Sequence, residues 1–228
     1  MNVSGEYYSE QFQKFQELRP KFVDLLGHVK KVLGTTLDEI LPEFLLKINL
    51  KSNMEFAEKI IDNAEYGDNP IDYSSDVCSA YVIVPRFDDI IATIETIRKN
   101  FVVSGDVVDK TTDSVSLKGI AKSFIVLLYP EGEVYRKTDL TIPEELIMFP
   151  VTIHVKTLFQ YSHEIFLKKL KNQDASRFPT RYIEDFNRIV SLLEIADKEL
   201  NDFAKDSDIE KYITETLSDE KLQDETSK

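Results

Sequence analysis

Hydrophobic residues in this chain change period twice, and that limits the fold more than any other feature. From Phe12 to Val29 they recur at helical spacing: Phe12, Phe15, Leu18, Phe22, Leu25, Leu26 and Val29. Between Cys78 and Lys156 short β-rich runs take over, and from Leu158 onward the helical spacing returns. One segment inside the β-rich part, Phe87 to Asn100, keeps the helical period through Ile90, Ile91, Ile94 and Ile97. This order predicts an α+β fold, a mixed sheet of about four or five strands with one embedded helix, flanked by N- and C-terminal helices.

The predicted strands are Cys78 to Val84 (stopped by Pro85), Phe101 to Val108, Ser123 to Tyr129 (before the turn Pro130-Glu131-Gly132), and Leu146 to Lys156. In the last of these Val151, Ile153 and Val155 alternate with Thr152, His154 and Lys156, which places the three polar residues on one face. Taken alone, that face reads as a solvent-exposed side of the sheet.

Helices are predicted over 6–33, with Pro20 as a kink or division and Gly34 as the stop, and from Thr36 through Leu46, kinked or broken at Pro42. A third helix follows the S-x-x-E capping box of Ser52 and Glu55. Leu158 to Leu170, Pro179 to Phe203 and a short piece over Ile209 to Leu217 complete the set, and 64–75 is a polar loop. The organisation expected is N-terminal helices over 1–48, an α/β core over 49–175, C-terminal helices over 176–217, and a disordered acidic tail over 218–228.

Composition removes several function classes. The 228 residues carry a net charge of −13, which argues against a nucleic-acid partner, since that needs a positive surface to displace counterions. Neither GxGxxG nor GxxxxGK[ST] occurs, so the usual dinucleotide and P-loop sites are absent from the sequence. Cys78 is the one cysteine, which precludes an intrachain disulfide or a zinc cluster and reads as a small buried hydrophobe. His28 and His163 read as ordinary surface or helix residues. The first residues show no basic-then-apolar pattern and no run is long enough to span a bilayer, so the expected location is cytoplasmic, with no membrane partner.

Four segments carry a resemblance to a known family. Asn49-Leu50-Lys51-Ser52, leading to Glu58-Lys59, resembles an R-V-K-P segment before a Lys-bearing helix. Asp76-Val77-Cys78-Ser79-Ala80-Tyr81-Val82, followed by Phe87-Asp88-Asp89-Ile90, resembles D-L-A-G-I-R-I and a D-D-I helix start. Lys118-Gly119-Ile120-Ala121-Lys122-Ser123-Phe124 resembles G-Y-R-S-x-H, and Val151-Thr152-Ile153-His154-Val155-Lys156-Thr157 resembles V-E-I-Q-I-R-T. Together they are similar to the RelA/SpoT-type synthetase domain, closest to the small alarmone synthetases, and cover roughly residues 40–200.

The resemblance implies a nucleotidyltransferase-like fold, a purine nucleotide ligand, a homo-oligomer, and a place in guanosine tetraphosphate metabolism. It implies Lys51, Lys59, Gly119, Lys122, His154 and Lys156 as nucleotide-binding residues. Asp76 takes the position of the Mg²⁺-binding aspartate, hence the catalytic and metal residue if the protein is active, with Mg²⁺ as the cofactor in that case only. The sequence departs from the family at reactive positions. Asn49, Tyr81 and Ala121 stand where the family has Arg, Ile120 where it has the guanine-stacking Tyr, Phe124 where it has His, and Thr152 where it has the catalytic Glu. Asn cannot supply the planar two-pronged phosphate contact of Arg, and a threonine hydroxyl cannot accept a proton at neutral pH as a carboxylate can. Glu164, Glu144 and Asp113 are the carboxylates near enough in sequence to compensate. Three readings follow: a pseudoenzyme that binds a nucleotide or a protein, an active divergent GTP/GDP pyrophosphokinase, and a non-enzymatic oligomeric scaffold.

Overall fold

The computed structural model describes residues 5–63, 77–106, 122–171 and 180–204. Chain order is α1 (Gly5–Leu37), β1 (Leu45–Leu50), α2 (Asn53–Asn63), β2 (Cys78–Val84), α3 (Phe87–Asn100), β3 (Phe101–Asp106), β4 (Lys122–Leu128), α4 (Glu133–Lys137), β5 (Val151–Thr157), α5 (Leu158–Lys171) and α6 (Thr180–Ala204). A 3-10 turn, Glu144–Leu146, precedes β5. The five strands form one mixed sheet in the order β1-β2-β5-β4-β3. Only β2 and β5 run parallel; β1–β2, β4–β5 and β3–β4 are antiparallel. The expected α+β architecture is thus the observed one.

Alternation along the strands gives the sheet two unlike faces. Ala80, Val82 and Val84 of β2, Ile153 and Val155 of β5, and Phe124, Val126 and Leu128 of β4 are buried in the main core. Helices α1 and α3 pack over that core, with Phe15, Phe22, Leu25, Val29, Ile90 and Ile97 fully or almost fully buried. Phe15 stacks on Phe56 of α2 at 4.1 Å between ring centroids, so the N-terminal helix is tied to the core by aromatic burial. The opposite face carries the polar residues, and α5 lies against it next to β5 and β2.

The N-terminal segment corrects the sequence reading. Pro20 lies inside an unbroken α1, and Gly34 does not end it. A buried stripe, from Phe15 through Leu25, Val29 and Leu33 to Leu37, runs past both residues, and packing of such a stripe outweighs one lost backbone hydrogen bond. Thr36 does not open a second helix: its hydroxyl donates back to the Val32 carbonyl at 2.7 Å in the last turns of α1. Leu45 and Leu46 are not helical but begin β1. The alternation Leu46, Ile48, Leu50 against Lys47, Asn49 is a strand pattern that overlaps a helical one at its start. Leu146 belongs to the 3-10 turn, not to β5. The Ser52–Glu55 capping box forms as expected, with Glu55 Oε2 accepting from Ser52 N at 2.7 Å and Ser52 Oγ accepting from Glu55 N at 3.2 Å. The expected loop 64–75, the piece 209–217 and the tail 218–228 lie outside the described residues.

Candidate functional site

Strand register assembles the polar face from four strands. His154 of β5 is paired with Tyr81 of β2 and with Ser123 of β4, and Tyr81 is paired in turn with Lys47 of β1. Thr152 is likewise level with Ser79, and Ser79 with Asn49. Side chains opposite one another in a sheet share a face, so Lys47, Asn49, Ser79, Tyr81, Ser123, Thr152, His154 and Lys156 form one polar surface.

Over β2 and β5 that surface is covered, because α5 follows β5 directly and folds back across it; Lys47 and Asn49 on β1 stay exposed at its edge. Thr157 and Gln160 make the turn with a second capping box: Gln160 Oε1 accepts from Thr157 N at 2.9 Å, and Thr157 Oγ1 accepts from Gln160 N at 3.2 Å. Helix α5 then delivers Tyr161 and Glu164. Lys156 Nζ donates to Glu164 Oε2 at 2.6 Å, and the two side chains are 9% and 21% exposed. Tyr81 Oη donates to the other carboxylate oxygen at 3.3 Å. The Tyr81 ring stacks on His154 at 4.5 Å between centroids, and His154 Nδ1 shares a 2.8 Å hydrogen bond with Ser123 Oγ. Lys47 Nζ donates to Tyr161 Oη at 2.9 Å. The polar groups therefore largely satisfy one another, as buried polar groups must.

Behind this layer lies a second polar cluster between α5 and α6. Thr157 Oγ1 donates to Asp197 Oδ2 at 2.6 Å. Asp197 Oδ1, Gln160 Nε2 and Asn201 Oδ1 are buried with no hydrogen-bond partner among the described residues. Burial raises the Asp197 carboxyl above its ordinary range, partly offset by the Thr157 hydrogen bond. Burial also lowers the His163 imidazole, with Lys156 lowering it further and Glu194 and Glu164 opposing. His163 is buried, not at the surface. Cys78 is 1% exposed and its thiol is pushed up to about 12 by burial, which makes it an inert core residue.

Of the residues named from sequence, His154 and Lys156 meet in the polar layer. Lys51 is half-buried just after β1, where its amide donates to the Val77 carbonyl at 2.9 Å and its carbonyl accepts from Arg19 at 3.2 Å. Lys122 does not join the layer: its level with Val155 places it on the face opposite Ser123, at the exposed end of β4. Asp76, Gly119 and the side chain of Lys59 lie outside the described residues. Lys47 was missed, although its alternation with Leu46 and Ile48 marks it as a strand residue. Among the candidate replacement carboxylates, Glu164 reaches the layer, Glu144 begins the 3-10 turn on the surface, and Asp113 is outside the described residues.

No protein-family model and no curated protein sequence matches the chain. Solved structures do. It superposes with a TM-score of 0.66 on smu.1046c from Streptococcus mutans UA159, at 14% identity, covering 84% of this chain and 95% of that one. A GTP pyrophosphokinase family protein from Streptococcus pneumoniae gives 0.66 at 14% identity over 87% and 96%. Small alarmone synthetase 1 from Bacillus subtilis bound to its product pppGpp gives 0.62 at 16% identity over 86% and 98%. The chain has the fold of the small alarmone synthetases, the RelA/SpoT-type synthetase domain in its compact form.

Proposed function

We propose that this chain is a purine-nucleotide-binding relative of the alarmone synthetases, acting in guanosine tetraphosphate metabolism, with pyrophosphate transfer impaired. One observation carries the reading: the cation on the reactive strand, Lys156, is neutralised internally by Glu164 at 2.6 Å, while further along the same face of that strand stands Thr152, 2% exposed. Pyrophosphoryl transfer depends on cations that neutralise phosphate and on a positioned group that activates the hydroxyl. Here the cation is engaged and the hydroxyl of Thr152 supplies neither base nor anionic ligand.

The described donors do not fit the Mg²⁺ that an active synthetase would call for. Glu164 is committed to Lys156 and Tyr81, and no group of three His, Cys, Asp or Glu converges among the described residues. Ligand support comes from solved neighbours bound to pppGpp and to AMPCPP.

The test uses γ-labelled ATP with GDP or GTP and Mg²⁺, alongside nucleotide-dependent thermal shifts. Binding without labelled guanosine product, for both the native chain and Thr152→Glu, is the expected result, because binding to the folded state alone raises the melting temperature. Robust product from the native chain would overturn it. A second reading, an active divergent pyrophosphokinase, is favoured by the reach of Glu164 across the Thr152 face. It predicts product that disappears in Glu164→Gln. No shift with any nucleotide would leave a scaffold.

A further inference from the structure

Strand β1 ends the sheet, and no described strand lies on its outer side. None of its six residues is buried, whereas all seven of its neighbour β2 are. Residues of an antiparallel strand alternate between turning the backbone N–H and C=O toward the partner and turning them away. Every second residue of β1 therefore offers both groups outward, a template for a further strand. Lys47, the only charged residue of β1, is held on the face of the sheet by Tyr161 Oη at 2.9 Å. The opposite edge is built otherwise. There β3 is broken by a register shift between Val103 and Gly105, and Ser104 Oγ donates back to the Ile125 carbonyl at 3.1 Å. Such a bulge spoils an edge for further pairing, whereas the register of β1 runs from Leu45 to Leu50 without interruption.

The open edge leads into a groove. At the start of β1 a cleft of about 600 Å³ is lined by Phe44, Leu45, Ile83, Pro85 and Leu158, with Asp38 and Glu43 beside them and no basic residue. Leu45 is 61% and Leu158 48% exposed. Asp38 and Glu43 are both exposed as well. The groove thus offers apolar contact and negative charge at one end of an unpaired strand.

We infer that β1 and this groove take an extended segment of a partner protein, added to the sheet as a further strand. Main-chain hydrogen bonds to an edge give such a complex its affinity, and side-chain pockets give it specificity. Antiparallel pairing is the more stable sense, and it brings the C-terminal end of the segment to the groove, because β1 starts there. The segment is therefore apolar at the position facing Leu45 and carries a Lys or Arg just beyond it, beside Asp38 and Glu43. A second copy of this chain is the poorer occupant, since it brings a net charge of −13 to a groove whose charged lining is acidic.

The experiment screens the full chain against a display library of random peptides of about nine residues, long enough at about 3.4 Å per residue to follow β1 into the groove. Enriched peptides are expected to alternate apolar and polar residues and to end in Lys or Arg. The leading peptide is then synthesised with single N-methyl groups placed along its backbone. Strand addition predicts that methylation weakens binding at every second residue and is tolerated between them, a period that side-chain contact alone does not produce. Glu43→Lys is expected to weaken binding about tenfold, because it sets like charges together, and Leu45→Asp by at least as much. Both side chains are exposed, so circular dichroism and melting temperature stay as in the native chain. A selection that enriches no peptide or only acidic ones, or an N-methyl profile without the two-residue period, would overturn the proposal. So would light scattering that shows self-association abolished by Glu43→Lys, which would give the groove to a second copy.

Discussion

Lys156 and Glu164 offer the sharpest test of the site, because the functional reading depends on their being coupled. Lys156 is 9% and Glu164 21% exposed at a 2.6 Å separation. Removing one partner of a buried pair strands the other charge and costs about 3–5 kcal/mol. The residual exposure of Glu164 admits water and puts Lys156→Met or Glu164→Leu at the lower end, about 3 kcal/mol each. Replacing both with apolar groups of similar volume leaves no stranded charge. The double variant still loses the Tyr81 hydrogen bond to Glu164, about 1 kcal/mol. The double variant is therefore expected to be more stable than either single one by about 2 kcal/mol, or roughly 4–8 °C in melting temperature. Urea denaturation of the four proteins measures the cycle. If the double variant loses the sum of the singles, the two groups are independent in the folded state. Lys156 would then be available to phosphate, and the argument for impaired transfer would fail.

Other predictions follow from the same geometry. Asp197 has a raised carboxyl pKa in the folded state, so its contribution to stability is fully present below its ordinary value near 3.8 and is lost as pH rises through the folded value. Asp197→Asn keeps an acceptor for Thr157 and abolishes this slope, so its stability relative to the native chain should grow as pH rises from about 4; a pH-independent difference in denaturant midpoints would contradict this. The two capping boxes should differ: Ser52→Ala, exposed, costs about 1 kcal/mol in urea unfolding. Thr157→Val should cost clearly more, because it also removes the hydroxyl that donates to the buried Asp197 carboxylate; equal losses would show that the Asp197 bond contributes nothing. A methyl group at Gly132 would sit 2.9 Å from the backbone oxygens of Asn100 and Tyr129. The φ of −58° there is ordinary, so the penalty of Gly132→Ala is steric, about 1–3 kcal/mol, read as a lowered melting temperature.

Much of the architecture was legible without coordinates where one local signal dominated. The β2 run from Cys78 to Val84 is apolar and ends at Pro85, and α3 keeps a helical period from Phe87 to Asn100, so both elements match their predicted spans. The first capping box was readable for the same reason. The failures share a cause as well. Residues 36–46 carry apolar positions compatible with either period, and the choice was made by pairing of Leu45–Leu50 with β2, a contact between residues far apart in sequence. The T-x-x-Q box of Thr157 and Gln160 had a local signal that was overlooked.

For the site, sequence alone determined which residue types stand on β5 and that Thr152, His154 and Lys156 share a face, since strand alternation follows from backbone geometry. Tertiary structure alone decided what that face meets. The tight turn at Thr157 folds α5 back over the sheet, and this sets Glu164 against Lys156 and turns an expected open surface into a closed polar layer. Alternation specifies the direction of a side chain, but whether its charge is free or neutralised depends on which helix arrives opposite it, a long-range packing outcome that no local pattern encodes.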